Sequence, residues 1–180
     1  MAQVAIKSTA VTNNNATPRT INASGLDGGT LVRAVNGLVT ITSGDTQAAT
    51  LAAGASTYRV GKIKSSDFID RVRIDTTADM GTTTVVDVGL YNTLAHSSGG
   101  TVVDQDFFAS SLSLKDGALS NTDITFEAGA AGGLITNAEK RVWECLGLTT
   151  DPGLEYDVAL TLTGACDGTG TALVRVTVVR

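Results

Sequence analysis

The 180-residue chain holds few side chains able to do chemistry, and their spacing decides what that chemistry could be. Its one imidazole is His96, within Leu94-Ala95-His96-Ser97-Ser98-Gly99-Gly100, a run of small and polar residues that reads as a loop. Ser97 and Asp104 follow, but triad chemistry needs a base held between a nucleophile and an orienting carboxylate, and this spacing sets no such geometry. His96 is expected to be an exposed loop residue. Cys145 and Cys166 stand too far apart, and without further ligands, to match the paired spacing of a zinc site. Three readings stay open for them: reduced thiols, a disulfide between a strand and a following loop, or a reactive group. A disulfide needs an oxidising compartment, and the start of the sequence, Met1-Ala2-Gln3-Val4-Ala5-Ile6-Lys7, lacks the apolar stretch of an export signal, so reduced thiols are the expectation.

Carboxylates are the remaining candidates. Asp104-Gln105-Asp106 could present two oxygens to a hard cation, and Asp167 could do so together with carbonyls of Gly164-Ala165-Cys166-Asp167-Gly168-Thr169-Gly170. Neither resembles a complete calcium loop, so exposed turn acids are expected, with no metal and no cofactor. Asn15-Ala16-Thr17 and Asn22-Ala23-Ser24 match the glycosylation sequon by chance. No glycine run leads into the Lys-Ser/Thr of a phosphate loop. With 18 acidic against 13 basic residues and a net charge of −5, the chain has no electrostatic footprint for nucleic acid or an anionic membrane surface. Its eight aromatic residues are scattered, so they build no stacking platform for single strands either. An enzyme is not expected.

The elements that must carry these residues are strands. Val, Ile and Thr number 53 against 14 Glu, Lys, Gln and Met, a composition of χ1-stiff side chains poor in helix formers. Asp outnumbers Glu by 14 to 4, and Asp serves turns. From Ser56 onward apolar residues alternate with polar ones: Tyr58 and Val60; Phe68, Val72 and Ile74 against Arg71 and Arg73; Val86, Val88 and Leu90 against Asp87. Ile124 and Phe126 continue the pattern, as do Tyr156, Val158, Leu160 and Leu162, then Val174, Val176 and Val178. Turn signals at Asp116-Gly117, Gly129 to Gly133 and Asp151-Pro152-Gly153 separate them. Asn137 to Gly147 fits a capped helix or a strand with Trp143 and Cys145 on one face, and the neighbouring strands favour a strand.

Residues 1–54 differ in being rich in small residues and poor in large apolar ones. They are expected to form an extended arm, with a short strand at Gln3 to Ile6, followed by a hairpin turning at Asn36-Gly37 between Thr30 to Val35 and Leu38 to Thr42. Residues 55–180 form the second region. The expected fold is all-β: a jelly-roll-like antiparallel β-sandwich with an N-terminal arm and hairpin.

Two stretches carry a resemblance. Ser56 to Ile63, Ile69 to Ile74 and Met80-Gly81-Thr82-Thr83-Thr84-Val85-Val86-Asp87-Val88-Gly89-Leu90-Tyr91 resemble a recurrent segment of capsid-associated structural proteins of tailed bacteriophages. Arg141-Val142-Trp143-Glu144-Cys145-Leu146-Gly147 through Val158 is similar to the C-terminal part of the same group. The resemblance spans about half the chain and brings no catalytic residue with it. It implies a head decoration, or cement, protein made in the bacterial cytoplasm and seated on the capsid exterior. Its implied partners are the major capsid protein and copies of itself, as a trimer sooner than a dimer. Val4, Ile6 and Val11 are apolar residues with no evident core to enter, and contact with such a partner or with the protein's own sheet would cover them. The competing functions are a carbohydrate-binding jelly-roll module of the adhesin or lectin kind, which requires Trp143 or Tyr91 on a solvent face, and another head or tail structural component.

Overall fold

The computed structural model describes residues 32–45, 56–93, 100–115, 117–127 and 135–180. Val4, Ile6, Val11, the expected strand at Gln3 to Ile6 and His96 lie outside the described residues. The regular structure of the described residues is almost all β-strand: β1 Val32–Ile41, β2 Thr57–Lys64, β3 Phe68–Thr76, β4 Val85–Asn92, β5 Val102–Ser113, β6 Thr122–Asp123, β7 Glu155–Leu162 and β8 Gly170–Val179. A 3-10 turn at Ile135–Asn137 and one α-helical turn, α1 Val142–Cys145, precede β7.

The strands form two four-stranded antiparallel sheets, one ordered β1-β8-β3-β6 and the other β2-β7-β4-β5. First pairs with last, second with seventh, third with sixth and fourth with fifth. This is a long antiparallel ribbon doubled at the β4–β5 end and rolled until β8 meets β3 and β7 meets β4. The sandwich is therefore a jelly roll. Alternation explains which side chains face inward: Val72 and Ile74 of β3 and Val174 and Val178 of β8 are fully buried, opposite Val88 and Leu90 of β4 and Val158 and Leu160 of β7. Phe107 and Phe108 of β5, also fully buried, meet edge to face with centroids 4.9 Å apart.

The expected hairpin is not there. Asn36 and Gly37 sit in the middle of β1, opposite Arg175 and Val174 of β8, and neither adopts a positive φ. The glycine serves the other sheet instead. A Cβ on Gly37 would lie 2.0 Å from the Val60 carbonyl oxygen, and one on Gly61 would lie 2.1 Å from a methyl of Val35. At this margin of the sandwich the two sheets approach so closely that each needs a bare backbone where the other projects. β2 accommodates the approach with a bulge between Arg59 and Gly61, which breaks the simple alternation expected at Tyr58 and Val60.

Two further expectations are corrected. The segment around Trp143 is helical, not a strand: Arg141 donates its backbone N–H to the Glu144 carboxylate (2.8 Å), and Gly147, at φ 72°, stops the turn. Gly147 N–H bonds the Glu144 carbonyl and Leu148 N–H that of Trp143, the paired bonds of a Schellman ending. The strand expected through Ile124 and Phe126 ends at Asp123, where the Asp123 carboxylate takes the hydroxyl and the backbone N–H of Thr125 (2.6 and 3.0 Å) and bends the chain. Ile124 stays buried while Phe126 is left exposed.

Candidate interaction surfaces

Asp167, one of the carboxylates that could present oxygens to a cation, holds two loops together. Asp167 accepts the Thr82 N–H (3.0 Å) and hydroxyl (2.7 Å) on one oxygen and the Thr83 N–H (3.3 Å) on the other. The Thr82 hydroxyl and backbone bonds hold its carboxyl down at about 2, so it binds the β3–β4 connection as an anion. Gly81, at φ 96°, gives the carboxylate room to approach.

Asp104 and Asp106 do come together, and the neighbouring carboxylate disfavours the charge on Asp104. Burial, reinforced by the hydrogen bond that protonated Asp104 donates to the Asp106 carboxylate and by the charge of that group, pushes Asp104 up to about 6. Gln105 between them turns the other way and donates to Asp87 (2.8 Å), which also accepts the Ser111 N–H (2.7 Å). β5 can arch over β4 here because Gly89 leaves space for the carbonyls of Asp104 and Gln105. Among the described residues no three His, Cys, Asp or Glu side chains gather as a metal site would need.

Both cysteines are free. Cys166 is buried, with its sulfur 3.2 Å from the Thr42 and Gly168 carbonyl oxygens. Burial pushes the Cys145 thiol up to about 11, so it stays protonated and a poor nucleophile near neutral pH.

The sugar platform also fails at Tyr91. Its ring is only 6% exposed, it lies under the Arg59 guanidinium (5.3 Å), and its hydroxyl is bonded to that of Thr161 (2.5 Å). Arg59 in turn meets Asp157 at 2.6 Å and reaches the Gly100 carbonyl at 2.9 Å. Trp143 is half-buried, with an enclosed indole N–H.

Sequence reasoning missed Asp67. Its fully buried carboxylate accepts Arg33 from β1 (3.2 Å), Arg180 from the chain's end (2.8 Å) and the backbone N–H of Lys64 (2.8 Å). Nothing in the local pattern marks its charge pairing, because its two arginine partners lie 34 and 113 residues away along the chain.

The solvent-facing surface offers shape and apolar area. Val32 and Leu38 on β1 are 62% and 70% exposed. Two shallow clefts open elsewhere: one of about 440 Å³ beside Arg71, Asp123 and Phe126, another of about 400 Å³ beside Val102, Leu148 and Tyr156. Both mix charged or polar groups with apolar ones.

No protein-family model matches the chain, and no curated protein matches it. A solved structure similar to it is a chain of the cyanophage Pam1 capsid asymmetric unit, with 14% identity and a TM-score of 0.45 over 92% of this chain and 96% of that one. A likeness at that level assigns no function.

Proposed function

We propose that this chain is a non-catalytic virion structural protein that decorates the outside of a tailed-phage capsid and stabilises it by bridging major capsid subunits. One observation carries the reading. The eight described strands roll into a jelly roll in which Asp67 and Asp167 are spent on ties within the chain, while Val32 and Leu38 on the outer face of β1 are left exposed to a partner. Jelly rolls recur in shell-forming and sugar-binding proteins, and the burial of Tyr91 weighs against the second use. The stretches that resemble phage capsid-associated proteins coincide with β2, β3 and β4 and with α1 leading into β7, elements that build both sheets.

A protein of this kind adds binding free energy across subunit boundaries, and repetition over a shell multiplies modest contacts. Its partners in this reading are the major capsid protein and further copies of itself, on the exterior of the particle. The test is binding of the purified protein to expanded phage heads, followed by heating of the decorated and bare particles. Saturation at a symmetric stoichiometry with raised heat resistance is expected. Retention on a sugar array together with indifference to heads would replace this function with the carbohydrate-binding one.

A further inference from the structure

Four strands lie at the margins of the two sheets, and three of them are blunted against pairing. β6 is two residues long. β2 carries Arg59, Lys62 and Lys64 and is broken by its bulge. β5 carries Asp104 and Asp106 and shifts register against β4 three times. Short length, charge and bulges are the ordinary means by which a sheet margin avoids adding another strand.

β1 has none of them. It runs ten residues in unbroken register with β8, contains no proline and no lysine, and its one charge, Arg33, is turned in to Asp67 and the Lys62 carbonyl. No described strand pairs with its other side. Its outward positions, Val32, Ala34, Asn36, Leu38 and Thr40, include two of the most exposed large apolar side chains of the described protein.

We propose that β1 pairs antiparallel with β1 of a second copy about a two-fold axis through Val35, joining the two β1-β8-β3-β6 sheets into one. The register follows from the side chains. Antiparallel partners directly opposite must share a face, and a dyad at Val35 sets Val32 against Leu38 of the second copy and Leu38 against its Val32. Within one chain Leu38 already lies opposite Leu173, and Val32 opposite Val179. The joint therefore builds two continuous apolar rows, each running Leu173, Leu38, then Val32 and Val179 of the second copy. A dyad one residue further on, at Asn36, would instead set Asn36 against itself and Val32 against Thr40. Two-fold pairing is isologous and closed, so it uses up both free margins at once. This two-fold pair stands in place of the trimer implied by the phage resemblance, and it does not depend on the capsid role.

The test uses the full chain. Sedimentation at tens of micromolar should give twice the 18.4 kDa chain mass. Leu38→Lys and Val32→Lys, at sites already exposed, should each weaken association by roughly tenfold or more while leaving circular dichroism unchanged. Register is read by mixing two single variants, Val32→Cys and Leu38→Cys, under oxidation. The mixture should cross-link, whereas either alone should not, because like positions lie about 20 Å apart along the strands. A monomer would show that β1 is covered within its own chain, or not covered, and would overturn the proposal. So would a trimer, an oligomer indifferent to Leu38→Lys, or cross-linking of Ala34→Cys with Leu38→Cys in place of the predicted pair.

Discussion

At the scale of single residues, the same side chain does different work in different surroundings. Asn36-Gly37 has the chemistry of a tight turn, yet Gly37 is present because the Val60 carbonyl occupies the place of its Cβ. A turn and a strand answer differently to substitution. In a type I′ turn Asn36→Thr is costly, since a β-branched residue resists positive φ. In β1, where Asn36 faces solvent, Asn36→Thr should be neutral or stabilising by a few tenths of a kcal/mol. Gly37→Ala should cost about 1–3 kcal/mol, as overpacking does. Urea denaturation of the two variants checks both, and a costly Asn36→Thr would count against the strand. Asp104 gives a second residue-scale expectation. Its folded value of about 6 stands above the ordinary carboxylate range, so between roughly pH 4 and 6 the folded protein holds the extra proton, and this contribution to stability falls as pH rises through that window. Asp104→Asn should therefore raise the melting temperature by more at pH 7.5 than at pH 4.5. An equal shift at both would mean that Asp104 is not held above the ordinary carboxylate range.

At the scale of elements, legibility in the sequence followed how local the deciding interaction is. β8 was legible because it buries every second residue, Val174, Val176 and Val178 among them, and β7 because Tyr156, Val158, Leu160 and Leu162 alternate with mostly polar residues, although the fold buries every position from Tyr156 to Leu162. α1 was not, because its neighbours suggested a meander, whereas its own cap and stop, Glu144 and Gly147, act within one turn. β1 was misread for the opposite reason: the contact that decides it, Gly37 on Val60, belongs to the facing sheet. The candidate cation sites were legible as acids but not as loop ties, since the Asp167 partners lie 84 and 85 residues away. Asp67 is the clearest such case, gathering β1, the β2–β3 turn and the end of β8 on one carboxylate. Removing it by Asp67→Asn leaves two arginines that are each about a third exposed and can turn to water, so the loss should be about 1–3 kcal/mol rather than the larger cost of a stranded buried charge. Thermal or urea unfolding measures it, and a change within a few tenths would show that the arginines bind nothing essential there.

At the scale of the whole molecule, the rolled ribbon makes the start and the end of the described chain depend on each other. β1 is held almost wholly by β8, and it closes one margin of the core with Ile41, which is fully buried, and with the partly buried Val35 and Val39. Residues 32–41, grouped with the arm on composition, belong to the sandwich, since β1 contributes side chains to its core. Two deletions separate the parts. Removing residues 2–25 leaves every described strand in place, so far-UV circular dichroism should keep its β signature and melting should stay cooperative within a few degrees of the full chain. Removing residues 2–41 strips the inward side chains of β1 from the core, uncovers the margin of β8 and leaves Asp67 without Arg33. Loss of a fully buried side chain the size of Ile41 alone costs about 2–5 kcal/mol. Against the modest stability of a single domain, the longer deletion should abolish cooperative melting. If the shorter deletion did the same, the residues ahead of β1 would have to support the sandwich, and covering Val4, Ile6 and Val11 would be a task of the protein's own sheet rather than of a partner.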